Sequence, residues 1–232
     1  MRKLLLAAAV GAAMSAGTAS AASVGFTKLT GVTGGTVANT AVFKGNIGGL
    51  GLGNVASITI RDANVLGGST GQFSGFDLDA IKLSTIDCAD AACAAAAVGL
   101  DVFNFGAGTL FSPGTQTGSP DPKLFGTNAA GTAVDNAVAT LGAFDAESVA
   151  SVPGADGFIS LGFNGVIAFN LTALTPTTGL FLYIGEVGDN GEVAANNITI
   201  SDLPAQIPEP STYALMLAGL GLLGFMARRR RG

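Results

Sequence analysis

Carboxylates stand at two places in the chain with the spacing of a functional site. Asp77 and Asp79 lie two residues apart in GFDLDA, so we expect them to project from the same side of a strand. Glu186, Asp189 and Glu192 lie together in GEVGDNGE. Carboxylate and loop carbonyl oxygens are the ligands that Ca²⁺ prefers, so the second group predicts a structural calcium site and the first group a weaker one. The alternative is that these acidic turn residues are simply solvated.

Paired carboxylates also serve as acid and base in glycoside hydrolases. A glycan-cleaving enzyme using Asp77, Asp79, Glu186 and Glu192 is therefore the alternative function from a different class. The remaining composition argues against an enzyme. The chain has no histidine, which removes the commonest general base and the usual zinc ligand. It also has no tryptophan, so a surface for stacking sugars would have to use phenylalanine or Tyr183.

Two cysteines, Cys88 and Cys93, stand in CADAAC. In an exported protein this spacing predicts a small disulfide loop, whereas a redox or zinc site would need different spacing or further ligands. Free thiols are the alternative. Apart from the calcium site, we expect no cofactor.

The body of the chain alternates apolar and polar residues, as half-buried strands do. Such stretches occur at 55–61, 100–105, 180–184 and 197–201. Segments 158–163 and 166–171 flank Asn164-Gly165, a pair favoured in hairpin turns, so they predict a β-hairpin. Residues 89–98 predict one or two helical turns. Many short strands separated by Gly, Asn and Pro predict an all-β protein, an antiparallel β-sandwich or jelly roll.

These elements must lie between two targeting segments. Arg2, Lys3 and the apolar residues that follow predict a secretory signal peptide over 1–21. Ala19-Ser20-Ala21 fits the small-residue cleavage rule, with Ala22 as the new N-terminus, and cleavage one residue later fits nearly as well. The exported domain is then expected at 22–204, with a subdomain boundary or long loop near 110–127, where Pro, Gly and Ser are frequent.

The C-terminal segment, 205–232, ends in an uncharged run at 213–227, which predicts a single transmembrane helix. At 1.5 Å per residue this helix is about 22 Å long, short for a permanent anchor in a hydrocarbon core of roughly 30 Å. The four residues Arg228, Arg229, Arg230 and Arg231 predict a stop-transfer block that stays in the cytoplasm. Pro208 and Pro210 keep Glu209 extended in front of the membrane.

Pro208-Glu209-Pro210, the Gly- and Leu-rich run and the terminal arginines resemble the PEP-CTERM sorting domain. The resemblance implies an exported protein of a Gram-negative bacterium that makes extracellular polysaccharide. It also implies recognition by exosortase, a membrane-embedded cysteine transpeptidase that processes the chain near Pro-Glu-Pro. The chain would be held in the inner membrane only briefly, after signal peptidase has acted, and would then reach the cell surface or the extracellular matrix. A plain membrane-anchored periplasmic protein is the alternative.

Residues 137–202 resemble, more loosely, bacterial discoidin-like cell-surface domains, which are related to carbohydrate-binding sandwiches. The order ATLGAFD, GFISLGFNGVIAFNL, LFLYIGEV, NNITISD carries this resemblance. Between the end segments the chain has five basic and 15 acidic residues, so we expect no nucleic-acid partner. The expected function is non-enzymatic: a structural or adhesive protein that binds extracellular polysaccharide.

Overall fold

The computed structural model describes residues 20–35, 38–63, 69–146, 157–189, 197–206 and 219–220. The predicted sorting motif and stop-transfer arginines, and also Ala19 and Glu192, lie outside these residues. Residues 219–220 are helical, but nothing else of the predicted transmembrane helix at 213–227 is described. Within the described residues, no helix is both long and apolar enough to cross a bilayer.

The described residues form two five-stranded antiparallel sheets, which confirms the all-β class. The first sheet contains, in spatial order, β1 (Ala21–Ser23), β10 (Asn197–Ser201), β4 (Asn54–Arg61), β8 (Val166–Pro176) and β6 (Thr109–Ser112). The second contains β2 (Phe26–Lys28), β3 (Thr40–Asn46), β9 (Phe181–Val187), β5 (Asp77–Ser84) and β7 (Ile159–Ser160). Two short helices, α1 (Ala91–Ala96) and α2 (Asn136–Ala139), and a 3₁₀ turn at Gly71–Phe73 lie in the connections.

The two sheets share one hydrophobic core, as the layers of a sandwich do. Buried side chains from both sheets form this core, among them Ile58, Ile60, Ile167, Phe169, Leu78, Ile81, Leu182 and Ile184. The large aliphatic residues at every second position of β4 therefore point inward, as the alternation at 55–61 predicts. At roughly 25 cal/mol per Å² of buried apolar surface, this core is the main source of folding free energy.

The second sheet is also covered on its outer face. Val42, Ala80 and Tyr183 pack there against Cys88 and neighbouring alanines of α1. Strands β5 and β9 are therefore buried on both faces. Strand β9 accordingly is a nearly continuous apolar run, whereas β5 brings Asp79 and Lys82 into this layer. The short helix predicted within 89–98 is confirmed, and its small alanines let it lie close to the sheet.

The hairpin predicted around Asn164-Gly165 is wrong. Strand β7 pairs with β5 in the second sheet, whereas β8 pairs with β4 and β6 in the first. A type I′ hairpin turn needs a positive φ at both central residues, but only Asn164 has one, with φ of 62°. The turn thus carries the chain from one sheet to the other.

The strand predicted at 100–105 is also wrong. This stretch has only an isolated bridge, between Phe103 and Leu171, followed by a turn at 105–108. Its alternation still has a physical cause: Leu100, Val102, Phe103 and Phe105 pack against the main core from a loop. Of the Pro/Gly-rich stretch near 110–127, the first residues belong to β6.

Candidate functional site

Hydrogen bonds fix the chain to the first sheet shortly before the predicted Pro208-Glu209-Pro210 motif. The Asn170 side chain on β8 accepts a hydrogen bond from the Ala205 amide at 2.7 Å and donates one to the Ala205 carbonyl at 3.2 Å. The Ser57 hydroxyl donates to the Leu203 carbonyl at 2.7 Å. These contacts hold 203–205 against the first sheet, immediately before residue 206.

The predicted carboxylate pair lies on β5, where Asp79 occupies a β-bulge. Leu78 faces Glu186 and Ile81 faces Ile184, so two residues of β5 oppose the single residue Gly185. A Cβ atom at Gly185 would lie 2.8 Å from the Asp79 carboxylate, so only glycine fits at this position. The bulge therefore places the Asp79 carboxylate directly over the backbone of β9.

Asp79 has no exposure to solvent and is held by hydrogen bonds. Its carboxylate accepts from the Thr40 hydroxyl at 2.7 Å and from the Asp145 amide at 3.3 Å. The pKa of Asp79 is raised to about 8, chiefly by burial; the hydrogen bond from Thr40 opposes the rise, and the nearby Asp145 charge adds to it. Asp79 is therefore mostly protonated at neutral pH. Asp145, in turn, accepts from the Thr140 hydroxyl at 2.8 Å.

The other acidic candidates are dispersed. Asp77 accepts a hydrogen bond from the Ser160 hydroxyl, and Glu186 has no solvent exposure on β9. Asp189 forms an ion pair with Lys28 at 2.6 Å, with both side chains more than one third exposed. In the described part of the chain, no three acidic or cysteine side chains are grouped as metal ligands. With Glu192 outside that part, the calcium site at Glu186, Asp189 and Glu192 stays a prediction.

The structure joins Cys88 and Cys93 in a disulfide. The loop is attached to the second sheet by Tyr183, whose hydroxyl accepts from the Cys88 amide at 2.9 Å and donates to the Ile86 carbonyl at 2.6 Å. Asp90 caps the N-terminus of α1 by accepting from the Cys93 amide at 2.7 Å. Since Tyr183 is completely buried, it is not available to stack on a sugar.

A cleft lies where the loop after α1 crosses the end of the second sheet, and we call it the Phe103 cleft. It has a volume of about 380 Å³, within the usual range for small-ligand sites. Its lining residues are Ile81, Lys82, Ala97, Gly99, Leu100, Asp101, Phe103, Phe105 and Gly142. The sequence alone does not indicate this cleft, because its walls come from segments distant in the chain.

Two phenylalanines form one wall of the Phe103 cleft. The Phe103 and Phe105 rings stack with centroids 5.6 Å apart and planes 5° from parallel. Both rings meet the edge of the buried Phe169 ring, at 5.9 and 6.0 Å, which fixes their orientation. Asp101 is exposed beside them and supplies a carboxylate acceptor. The cleft thus combines rigid aromatic surface with a hydrogen-bonding group.

Lys82 also lines the cleft, but its ammonium group has a structural role. Its three donors reach the carbonyls of Ala94, Ala95 and Ala97 at 2.9, 2.9 and 3.1 Å, at the C-terminal end of α1. The ammonium also lies 5.0 Å from the Phe144 ring centroid, and burial lowers the pKa of Lys82. A cation at a helix C-terminus is favoured by the helix dipole, so Lys82 fastens α1 to β5.

Residues 206–231 match the family model of the PEP-CTERM protein-sorting motif. The chain therefore carries a PEP-CTERM sorting signal, as Pro208-Glu209-Pro210 and the terminal arginines predict. Such a signal implies export, a membrane-anchored sorting segment and processing by exosortase. No curated protein and no solved structure gave a match, so the discoidin-like resemblance of 137–202 stays a prediction.

Proposed function

We propose that this chain is a non-enzymatic protein of the cell surface or extracellular matrix of a Gram-negative bacterium, and that it binds extracellular polysaccharide. The Phe103 cleft is the observation that carries this proposal. Aromatic faces are electron-rich and attract the C–H groups of a sugar ring, while a carboxylate accepts hydrogen bonds from sugar hydroxyls. Phe103, Phe105 and Asp101 supply both groups in a cleft large enough for the end of a sugar chain.

The arrangement of carboxylates supports binding rather than cleavage. A glycosidase needs two carboxyl groups on either side of the scissile bond. Asp101 is the one carboxylate among the residues that line the cleft. Asp79 and Glu186 are completely buried, so a polysaccharide has no access to them in the folded domain. The raised pKa of Asp79 resembles that of a general acid. However, Asp79 is buried and hydrogen-bonded to Thr40, so it suits a structural role as a neutral carboxyl group.

The route to this location has three steps in the proposal. Signal peptidase removes the N-terminal segment, the apolar C-terminal run holds the chain in the inner membrane, and exosortase releases the domain near Pro208-Glu209-Pro210. The hydrogen bonds that hold Ala205 to β8 support the last step, because they fix the chain to the first sheet immediately before the matched segment begins at residue 206. The sorted domain is then free to contact polysaccharide outside the cell.

A binding experiment tests the proposal. Extracellular polysaccharide purified from the producing bacterium is titrated into the mature protein, and binding is followed by calorimetry. We expect Asp101→Ala to weaken binding about tenfold, which corresponds to roughly 1.4 kcal/mol for a hydrogen bond to a charged group. Asp87→Ala is the matched control, because Asp87 is also exposed but pairs with Lys44 of β3 and does not line the cleft, and it should leave binding unchanged.

Two outcomes contradict the proposal. The first is an absence of saturable binding by the mature wild-type protein, or equal binding by the Asp101→Ala variant. The second is a rise in reducing ends when the mature protein is incubated with the same polysaccharide. That rise would favour the alternative, a secreted glycan-active hydrolase.

A further inference from the structure

The ends of the folded domain meet at one edge of the first sheet. The Ser20 amide donates to the Asp202 carboxylate at 2.9 Å, and the Asp202 amide donates to the Ser20 carbonyl at 3.2 Å. From there β1 continues antiparallel to β10, with Ala21 opposite Ser201 and Ala22 opposite Ile200. Ser20 therefore lies immediately before β1, and its two hydrogen bonds with Asp202 continue the contacts of this edge.

Cleavage after Ala21 would remove part of this ladder. It would delete both backbone contacts of Ser20 and the pair between Ala21 and Ser201, and it would leave the Asp202 carboxylate without that amide. It would also place a charged ammonium group on Ala22, which is half-buried and packs against the main core. Charged groups are costly to bring toward an apolar core.

The sequence contains a further bond that satisfies the small-residue rule, besides the Ala21–Ala22 bond and the bond after it. Gly17 and Ala19 stand three residues and one residue before the Ala19–Ser20 bond, and small side chains at those two positions are what signal peptidase requires. We infer that signal peptidase cleaves between Ala19 and Ser20, so that the mature chain begins at Ser20 and its α-ammonium group forms an ion pair with Asp202.

The chemistry of this step is a simple hydrolysis. Water adds across the Ala19–Ser20 amide, the C–N bond breaks, and the Ala19 carbonyl carbon becomes a carboxylate. The Ser20 nitrogen takes up protons and becomes the α-ammonium group. The neutral N–H donor to Asp202 is thereby replaced by a positively charged donor at the same place, which adds the attraction between opposite charges to the hydrogen bond. Since Ser20 is exposed, the new charge stays in contact with water.

The ion pair lies close in sequence to the sorting motif. Asp202 lies four residues before residue 206, where the sorting motif begins. Removal of the signal peptide therefore converts the contact between Ser20 and Asp202 into an ion pair, and this ion pair holds the edge strand β1 close to the start of the matched sorting segment. The inference goes beyond polysaccharide binding and does not depend on it.

The direct test is the N-terminal residue of the protein exported by the producing bacterium, read by N-terminal sequencing and intact mass. We expect Ser20. Ala22, or any other first residue in the main species, overturns the inference. Expression of the full chain keeps both targeting segments in place for this measurement.

A matched pair of variants distinguishes cleavage at the Ala19–Ser20 bond from cleavage at the Ala21–Ala22 bond. Gly17→Phe places a bulky group three residues before the Ala19–Ser20 bond but outside the critical positions of the Ala21–Ala22 bond. Ala21→Phe does the reverse, and its side chain falls on the exposed edge strand. We expect Gly17→Phe to abolish the Ser20 terminus and Ala21→Phe to preserve it. Loss of processing in Ala21→Phe with a normal terminus in Gly17→Phe would refute the assignment.

The ion pair has its own readout. Asp202→Asn keeps an oxygen acceptor but removes the charge, so the Ser20 α-amine should react several-fold faster with an acylating reagent at pH 7 than in the wild type. Asp121→Asn, an exposed change elsewhere on the surface, serves as control. Equal rates in the wild type and Asp202→Asn would overturn the ion pair.

Discussion

Replacing Pro208, Glu209 and Pro210 together by alanine is expected to abolish C-terminal processing of the exported chain. Both prolines lack an amide donor and disfavour a helix, so they keep the motif extended in front of the apolar run. With alanines the helix is free to continue upstream, and the carboxylate that exosortase would recognise is lost. The measurement is the fraction of the chain that loses its C-terminal segment, read by intact mass in the producing bacterium, and we expect it to fall to background.

Pro204→Ala is the control for this change. Pro204 lies just before the matched residues and after the segment that Ser57 fastens at Leu203. The Pro204→Ala variant loses a proline, as the triple variant does, but it keeps Pro208-Glu209-Pro210. Processing should therefore stay at the wild-type level. Normal processing of the triple variant would show that Pro-Glu-Pro is not the recognition element, whatever the rest of the tail does.

The second large effect concerns stability. Asp79→Asn is expected to make the protein more stable at alkaline pH and to leave its stability nearly unchanged near pH 4. The folded state raises the pKa of Asp79 from its ordinary value of 3.8 to about 8, chiefly through burial. Between these two values the unfolded chain releases the proton while the folded chain keeps it. Rising pH therefore favours unfolding of the wild type by about 1.4 kcal/mol per pH unit.

Asparagine has the shape and polarity of the protonated carboxyl but does not ionise. The free energy of unfolding of Asp79→Asn, relative to the wild type, should therefore increase by roughly 4–6 kcal/mol from pH 4 to pH 8. Urea denaturation at several pH values measures this difference. Asp101→Asn, an exposed change, should show no such trend. A difference that stays constant with pH, or that decreases, would contradict the assignment of a buried neutral carboxyl at Asp79.

Local signals in the sequence were sufficient for much of the fold. The alternation in 55–61 and 197–201 predicted β4 and β10, because large aliphatic residues at every second position of each strand are buried in the core. The sorting segment was also readable, since motif, apolar run and arginines are contiguous. A feature that lies within one short stretch of sequence can be predicted without knowing which other segment of the chain it contacts.

The pairing between strands was harder to predict from the sequence. The Asn164-Gly165 turn has hairpin residues, yet its two flanking segments join different sheets because other strands compete for them. Phe163, for example, forms its bridge with Thr115, a residue far back in the chain. A turn signal specifies a change of direction, whereas the choice of neighbour depends on contacts across the whole sheet.

The candidate sites show the same limit. Asp77 and Asp79 were predicted from their spacing, but the partners that define Asp79, Thr40 and Asp145, lie 39 and 66 residues away. Sequence spacing did not indicate that Asp79 would be buried in a bulge rather than exposed on a strand. The Phe103 cleft was missed for a related reason, since its alternating residues were interpreted as a strand.

The central claim is that the C-terminal segment is a sorting signal that is removed on delivery. The most direct test is the intact mass of the wild-type protein recovered from outside the cells of its producing bacterium. We predict a mature chain that ends near Pro208-Glu209-Pro210 and lacks Arg228, Arg229, Arg230 and Arg231. Recovery of a chain that still carries the apolar run and these arginines would contradict the claim and would leave a plain membrane-anchored protein.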